Sequence, residues 1–208
     1  MHGKKQNKKM SRFILIGSFL LIIVGIGIIS FKNYNNYKNK NIEEKKVNQF
    51  ILHQIEIETI KDIDEEKLEI KVKNDSYIAV LDIPKINLKK GVYSKESSNN
   101  EVDKNVLLLK ESDMPNIEKG NFMLAGHSGT GNNAHFRNLH KITYGDLAYL
   151  YYGGNKYAYK LVSKYEIIKN GEAIIYRNMN KKTLTLITCK NKSNKQIVFI
   201  FEIVNGGE

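Results

Sequence analysis

Three textures of apolar and polar residues follow one another along the chain. The first is continuous: residues 13–31, FILIGSFLLIIVGIGIISF, hold no charged side chain, and a helix of that length crosses about 30 Å of hydrocarbon. The second has a helical period. Val47, Phe50, Ile51 and Ile55 fall near one helix face, with Glu43 and Glu44 in the first turn, where the dipole favours acids, so a helix is predicted over 42–60. From residue 76 the period drops to two. SYIAVLDIP, INLKKGVY, KNVLLLK, GNFMLAGH, KTLTLITC and KQIVFIFEIV read as short strands, and two tyrosine-rich segments flank Gly153-Gly154-Asn155, a hairpin signal. Eight or so strands with one brief helical patch near 133–141 predict an all-β barrel or sandwich. That stretch is long enough for one core.

These textures set the expected organisation: a basic tail at 1–12, a membrane anchor at 13–31, a stalk and linker with a helix at 32–75, and a catalytic domain at 76–208. The stalk's Asn- and Lys-rich start, 32–41, reads as flexible. Lys4, Lys5, Lys8, Lys9 and Arg12 precede the apolar run, so the N-terminus is expected in the cytoplasm and the C-terminal bulk outside a single-pass anchor. A cleavable leader fits less well. Its apolar core would be shorter and would end in small residues, whereas this run leads into KNYNNYKNKN without an alanine.

Charge changes the picture only modestly. Lys and Arg number 33 against 22 Asp and Glu, a net charge of +11, yet the arginines are only Arg12, Arg137 and Arg177. Nucleic-acid surfaces use arginine forks and interleaved aromatics, so nucleic acid is not expected as a partner. The scattered lysines suit solvated faces and an anionic membrane surface.

Candidate chemistry centres on Cys189, the one cysteine in the chain, at the end of the run TLTLITC. A lone cysteine on an apolar strand is ordinarily inert packing. In an exported domain, however, it has no disulfide partner within the chain and is exposed to oxidation, which favours a task. Thiol catalysis needs a thiolate and a nearby proton carrier. His2 belongs to the tail and His53 to the juxtamembrane helix. His135 and His140 suit a helical surface. His127 ends an apolar strand and opens the flexible loop SGTGNNA, where a rigid scaffold displays reactive groups. A metallohydrolase built on His127, His135 and His140 is disfavoured, because their spacing gives no i,i+4 pair and no acid completes the set.

LAGHSGTGNNAHFRNLHKITYGD and TLTLITC resemble the histidine and cysteine motifs of the sortases, membrane-anchored cysteine transpeptidases (thiol proteases by their peptide-cleaving half-reaction) of Gram-positive cell surfaces. The resemblance spans residues 77–204 and includes YIAVLDIPKINLKKGVY and Gly145-Asp146. It implies an eight-stranded β-barrel with short helices behind an N-terminal transmembrane helix. It also implies cleavage of an LPXTG-like sorting motif through a thioacyl-enzyme, with transfer of the surface protein to an amine of peptidoglycan or a pilin. Cys189 would be the nucleophile, His127 the acid and then the base, and Thr188 a substrate- or oxyanion-positioning residue. No metal or organic cofactor is needed for that chemistry.

The family places an arginine on the strand after the cysteine, and KNKSNKQIVFIFEIV has none. An ungapped reading puts Lys195 there as a substitute cation, with Gln196 one register step away; a plain turn lysine is the rival reading of Lys195. A catalytically impaired, membrane-tethered binding or assembly module is therefore the alternative function. The short interval from His127 to Cys189 fits class B poorly, and the ending NGGE carries no class C membrane helix, so the shape resembles class A or D. Some class A members bind calcium, and Glu111, Asp113, Glu118 and Glu172 lie in the corresponding regions without clearly matching spacing. Ala173, Ile174 and Ile175 precede the cysteine strand and read equally as groove wall for the motif's aliphatic residue or as core. Which motif and which amine are used stays open.

Overall fold

The computed structural model describes residues 3–61 and 76–204. They divide into two units between Glu43 and Glu44. The first is the N-terminal part of helix α1 (Gly3–Lys61). Among the described residues this is the one helix long and apolar enough to cross a membrane, over Ile16–Gln54, with mean hydropathy 1.9. Phe19, Leu21, Ile28 and Phe31 are exposed, as lipid-facing side chains are. Residues 32–41, expected to be flexible, continue the helix. No proline or glycine interrupts the chain from Ile28 to Lys61, so nothing there breaks the i→i−4 ladder.

The second unit holds the last turns of α1 and the strands. Val47 and Gln54 are buried, and the Gln54 side-chain carbonyl accepts the backbone N–H of Gly154. The strands are β1 (Tyr77–Ile83), β2 (Leu88–Tyr93), β3 (Leu107–Leu108), β4 (Asn121–Gly126), β5 (Leu147–Tyr152), β6 (Asn155–Ile168), β7 (Thr183–Cys189) and β8 (Lys195–Ile203). They form one sheet in the order β2-β1-β5-β6-β8-β7-β4-β3. The two ends of that order, β2 and β3, also touch each other, which nearly closes the sheet into a barrel. The all-β barrel expected from the period-two pattern is thus the fold.

Alternation decides what faces where. Leu124 on β4, Leu184 and Leu186 on β7, and Phe199 and Phe201 on β8 point into the main core with Leu81, Leu150 and Tyr159. The other face of the same strands carries Ile187, Val198 and Ile200, covered in part by Leu109, Ala125, Tyr165, Ile167 and Ile175. That explains why β7 is buried on both sides along nearly its whole length. Its threonines on that second face are satisfied: Thr183 and Thr185 each donate to Oδ1 of Asn121, at 3.0 and 2.8 Å. The hairpin falls where Gly-Gly-Asn predicts it, with Gly153 at φ 57° and Gly154 at φ 79°. The helical patch expected near 133–141 shrinks to turns and a 3-10 segment, Leu139–Lys141.

Among the described residues every strand pairing is antiparallel except one: β4 runs parallel to β7, with Leu124 beside Leu186 and Gly126 beside Thr188. Close approach matters at the end of β4. A Cβ added to Gly126 would lie 2.9 Å from Cδ2 of the buried Phe136 ring. Gly126→Ala is therefore expected to cost about 1–3 kcal/mol by overpacking, read as a lowered Tm in thermal denaturation.

Candidate active site

Parallel pairing sends the C-terminal ends of β4 and β7 to the same end of the barrel. Gly126 is the last residue of β4 and lies opposite Thr188; His127 follows the one and Cys189 the other. Side chains fasten the two ends together. The Thr188 hydroxyl donates to the Gly126 carbonyl at 2.7 Å, and the Ser128 hydroxyl donates to the Cys189 carbonyl at 2.5 Å. Cys189 is partly exposed and forms no disulfide. The loop after His127 is held from behind. Phe136 N–H donates to the His127 carbonyl at 2.9 Å, and the Arg137 guanidinium donates to the carbonyls of Gly129, Thr130 and Gly131.

The imidazole has one hydrogen-bond partner that the sequence did not suggest. His127 Nε2 lies 2.8 Å from Oδ1 of Asp103, a residue in the β2–β3 connection. Nothing in EVDKN distinguishes Asp103 in the sequence, because its closeness to His127 exists only in the folded chain. Ser128 stood inside the quoted histidine motif, but its bond to Cys189 depends on the parallel register and was equally invisible.

Across the sheet from Cys189, the antiparallel register with β8 sets Gln196 directly opposite. Opposed residues share a face, so Gln196, Cys189, Ile187 and Val198 look the same way. Lys195 looks the other way, opposite Ile168 on β6, and its ammonium lies 3.2 Å from Glu166. The structure thus brings Gln196 to Cys189 and takes Lys195 to the opposite face. Arg177 is occupied as well, donating to the Lys119 and Lys181 carbonyls at 3.1 and 3.3 Å. Among the described residues, the guanidinium groups of Arg137 and Arg177 are thus both bound to loop carbonyls. Thr188 is 4% exposed, on the barrel side of β7 rather than beside the Cys189 side chain, its hydroxyl committed to Gly126.

A groove of about 580 Å³ opens on the Cys189 face of the sheet, lined by Met123, Ala125, Ile187 and Gln196 from the strands and by Ala173 and Ile175 from the segment before β7. That segment, 169–182, forms no strand. It is pinned across β6 by the Tyr165 hydroxyl, which donates to the Ile174 carbonyl at 3.0 Å and accepts the Tyr176 N–H at 2.7 Å. Ile174 is 59% exposed and points away from the groove its neighbours line.

Among the described residues no group of three or more His, Cys, Asp or Glu side chains converges as a metal site. Of the acids weighed for calcium, Asp113 accepts the Asn121 N–H at 2.9 Å, and Glu111 and Glu172 line the groove.

A profile of the sortase domain matches residues 81–202, and the chain belongs to the sortase family. It is 26% identical to sortase A of Bacillus anthracis, over 90% of this chain and 93% of that one. Against sortase A of Staphylococcus aureus (strain NCTC 8325 / PS 47) the identity is 23%, over 90% and 91%. The solved structure of a Clostridium perfringens sortase D5 transpeptidase superposes with a TM-score of 0.59 at 26% identity, covering 79% of this chain and 99% of that one. The protein is accordingly a cysteine transpeptidase with an apolar N-terminal helix of membrane-spanning length.

Glu166 gives the barrel a small pH signature. The ammonium groups of Lys190 and then Lys195 donate to its carboxylate and hold it below the ordinary value of 4.5. A carboxyl lowered on folding adds stability that is fully present above its ordinary value and is lost as pH falls through the lower folded value. Glu166→Gln should therefore be less stable than the wild type at neutral pH, with the gap closing in acid as pH falls through the lowered value of Glu166. Urea denaturation at neutral pH and across the acid range checks it.

Proposed function

We propose that this chain is a sortase of the single-anchor, class A or D type that cleaves an LPXTG-like sorting motif through a thioacyl-enzyme on Cys189. The acyl group then passes to an amine of peptidoglycan or of a pilin. Basic residues before the anchor favour a cytoplasmic N-terminus and a catalytic domain outside. The observation that carries this reading is the parallel β4–β7 register, which delivers His127 and Cys189 to one end of the barrel, while Gln196, opposite Cys189, lines a groove on the same face.

In this reading the Cys189 thiolate attacks the scissile carbonyl, and His127 protonates the leaving amine; the ring later takes a proton from the incoming amine as the thioester breaks. Ala173 and Ile175 wall the groove for the motif's aliphatic side chain. Gln196 takes the position on β8 that the family gives to arginine, where its amide N–H donates to the substrate backbone or the oxyanion. Thr188 acts at one remove, fixing the strand end that carries the thiol. Lys195 serves the Glu166 ion pair instead of the reaction. The chemistry asks for no cofactor.

The neutral amide supports a weaker oxyanion contact than a guanidinium fork. Removing one such donor costs about 10²–10³ in rate. Gln196→Ala is expected to lower kcat/KM toward that range, Gln196→Arg to raise it, and Lys195→Ala to leave it unchanged; peptide-cleavage kinetics with the full chain in detergent decide between the two positions.

The reading itself is tested by incubating the full chain with LPXTG-like and NPXTN-like peptides and weighing the intact protein. An acyl adduct is expected that is absent in Cys189→Ala and disappears when amine is added. A folded, reduced protein that forms no adduct with any peptide would favour the binding or assembly module, to which the missing arginine points.

A further inference from the structure

The Asp103–His127 pair is poorly placed to stabilise the fold. The side chains are 77% and 37% exposed, and exposed ion pairs contribute about 0–1 kcal/mol. The chain nevertheless holds Asp103 in place with several specific bonds. Asparagines bracket it on both sides. Asn100 donates through Nδ2 to the Leu108 carbonyl at 3.0 Å and accepts the Leu108 N–H at 2.7 Å. Asn105, 3% exposed, donates to the Gly91 carbonyl at 2.8 Å. Between them a turn closes, with the N–H groups of Lys104 and Asn105 donating to the Glu101 carbonyl at 3.0 and 2.8 Å. Lys104 does not compete for the carboxylate, because its ammonium bonds the Ser98 carbonyl and Glu101. The turn is thus fixed at β2 and β3, and its free carboxylate meets the imidazole.

We infer that Asp103 is a positioning residue for the transpeptidation: it grips His127 through Nε2, keeps a proton on that nitrogen, and leaves Nδ1 to exchange protons with the reacting amines. This rests on the thioacyl-enzyme reading of Cys189 and His127. An ionised carboxylate only accepts hydrogen bonds, so the neutral ring facing Asp103 carries its hydrogen on Nε2 and its lone pair on Nδ1. No other hydrogen bond to the ring occurs among the described residues. In acylation the thiolate bonds to the carbonyl carbon, the C–N bond breaks, and the Nδ1 proton of the imidazolium goes to the departing nitrogen. In the second half the incoming amine bonds to the thioester carbon, the C–S bond breaks, its proton goes to Nδ1, and the thiolate returns. Asp103 accepts from Nε2–H throughout and changes no bond of its own. A ring anchored at one nitrogen loses the rotation that would misdirect the other.

The test uses the full chain in detergent micelles with ¹⁵N-labelled histidine. The wild type should show a downfield, exchange-protected Nε2–H proton on His127. Asp103→Ala should lose that resonance and lower kcat about tenfold or more, a part of the 10²–10⁴ that general acid–base catalysis supplies as a whole, with KM and Tm nearly unchanged. Asp103→Asn, which keeps an acceptor oxygen without the charge, should fall between the two. A protected resonance that survives Asp103→Ala would overturn the inference, as would an unchanged kcat. A kcat that rises would overturn it too, since Asp103 would then be restraining the ring. The wild-type acyl adduct is read separately. Its absence would defeat the transpeptidase reading of Cys189, while the proton resonance would still report whether Asp103 holds the ring.

Discussion

One parallel strand pair in an otherwise antiparallel sheet governs this molecule. Two antiparallel neighbours end at opposite ends of a sheet; two parallel neighbours end together. Because β4 and β7 run the same way, the residue after β4 and the last residue of β7 emerge at one rim, although the motifs that contain them lie far apart in sequence. Parallel pairing also requires a long crossover. Here the crossover is the β5–β6 hairpin and the segment 169–182, and that segment walls the groove beside the thiol. The register is locked by two hydroxyls, Thr188 to the Gly126 carbonyl and Ser128 to the Cys189 carbonyl. The arrangement of thiol, imidazole and groove therefore follows from how one strand pairs.

The sheet's two faces sort the charges around this rim. On the Cys189 face the neighbour across β8 is an uncharged amide. On the other face Lys190 and Lys195 share Glu166, so both of these ammonium groups pair with a carboxylate instead of facing the thiol. The arginines follow the same logic: Arg137 and Arg177 bind loop carbonyls and shape the segments flanking the site.

Much of this was readable in the sequence, for definite reasons. The apolar run, the strands and the Gly-Gly-Asn hairpin follow from periodicity and from conformations that only certain residues adopt freely. His127 and Cys189 stood at strand ends, where their motifs placed them. What escaped was register and cross-chain proximity. Lys195 and Gln196 differ by a single step, and one step moves a side chain to the opposite face of a sheet; no composition reveals which residue faces the thiol. Asp103 meets His127 through a turn whose anchors, Asn100 and Asn105, bond to residues brought near by barrel closure. The helix through 32–41 was missed because a polar Asn/Lys run carries no apolar stripe to announce it. The resemblance gave Thr188 a substrate- or oxyanion-positioning role, whereas alternation turns its side chain toward the barrel and its hydroxyl to the Gly126 carbonyl.

The most direct measurement of the central claim is a crystal structure of the protein with a sorting-peptide analogue joined to Cys189 by a disulfide at the scissile position. The account predicts His127 on one side of the trapped carbon and the Gln196 amide on the other, with the peptide's aliphatic side chain against Ala173 and Ile175. A peptide bound outside that groove, or a His127 ring turned away from the trapped carbon, would contradict it.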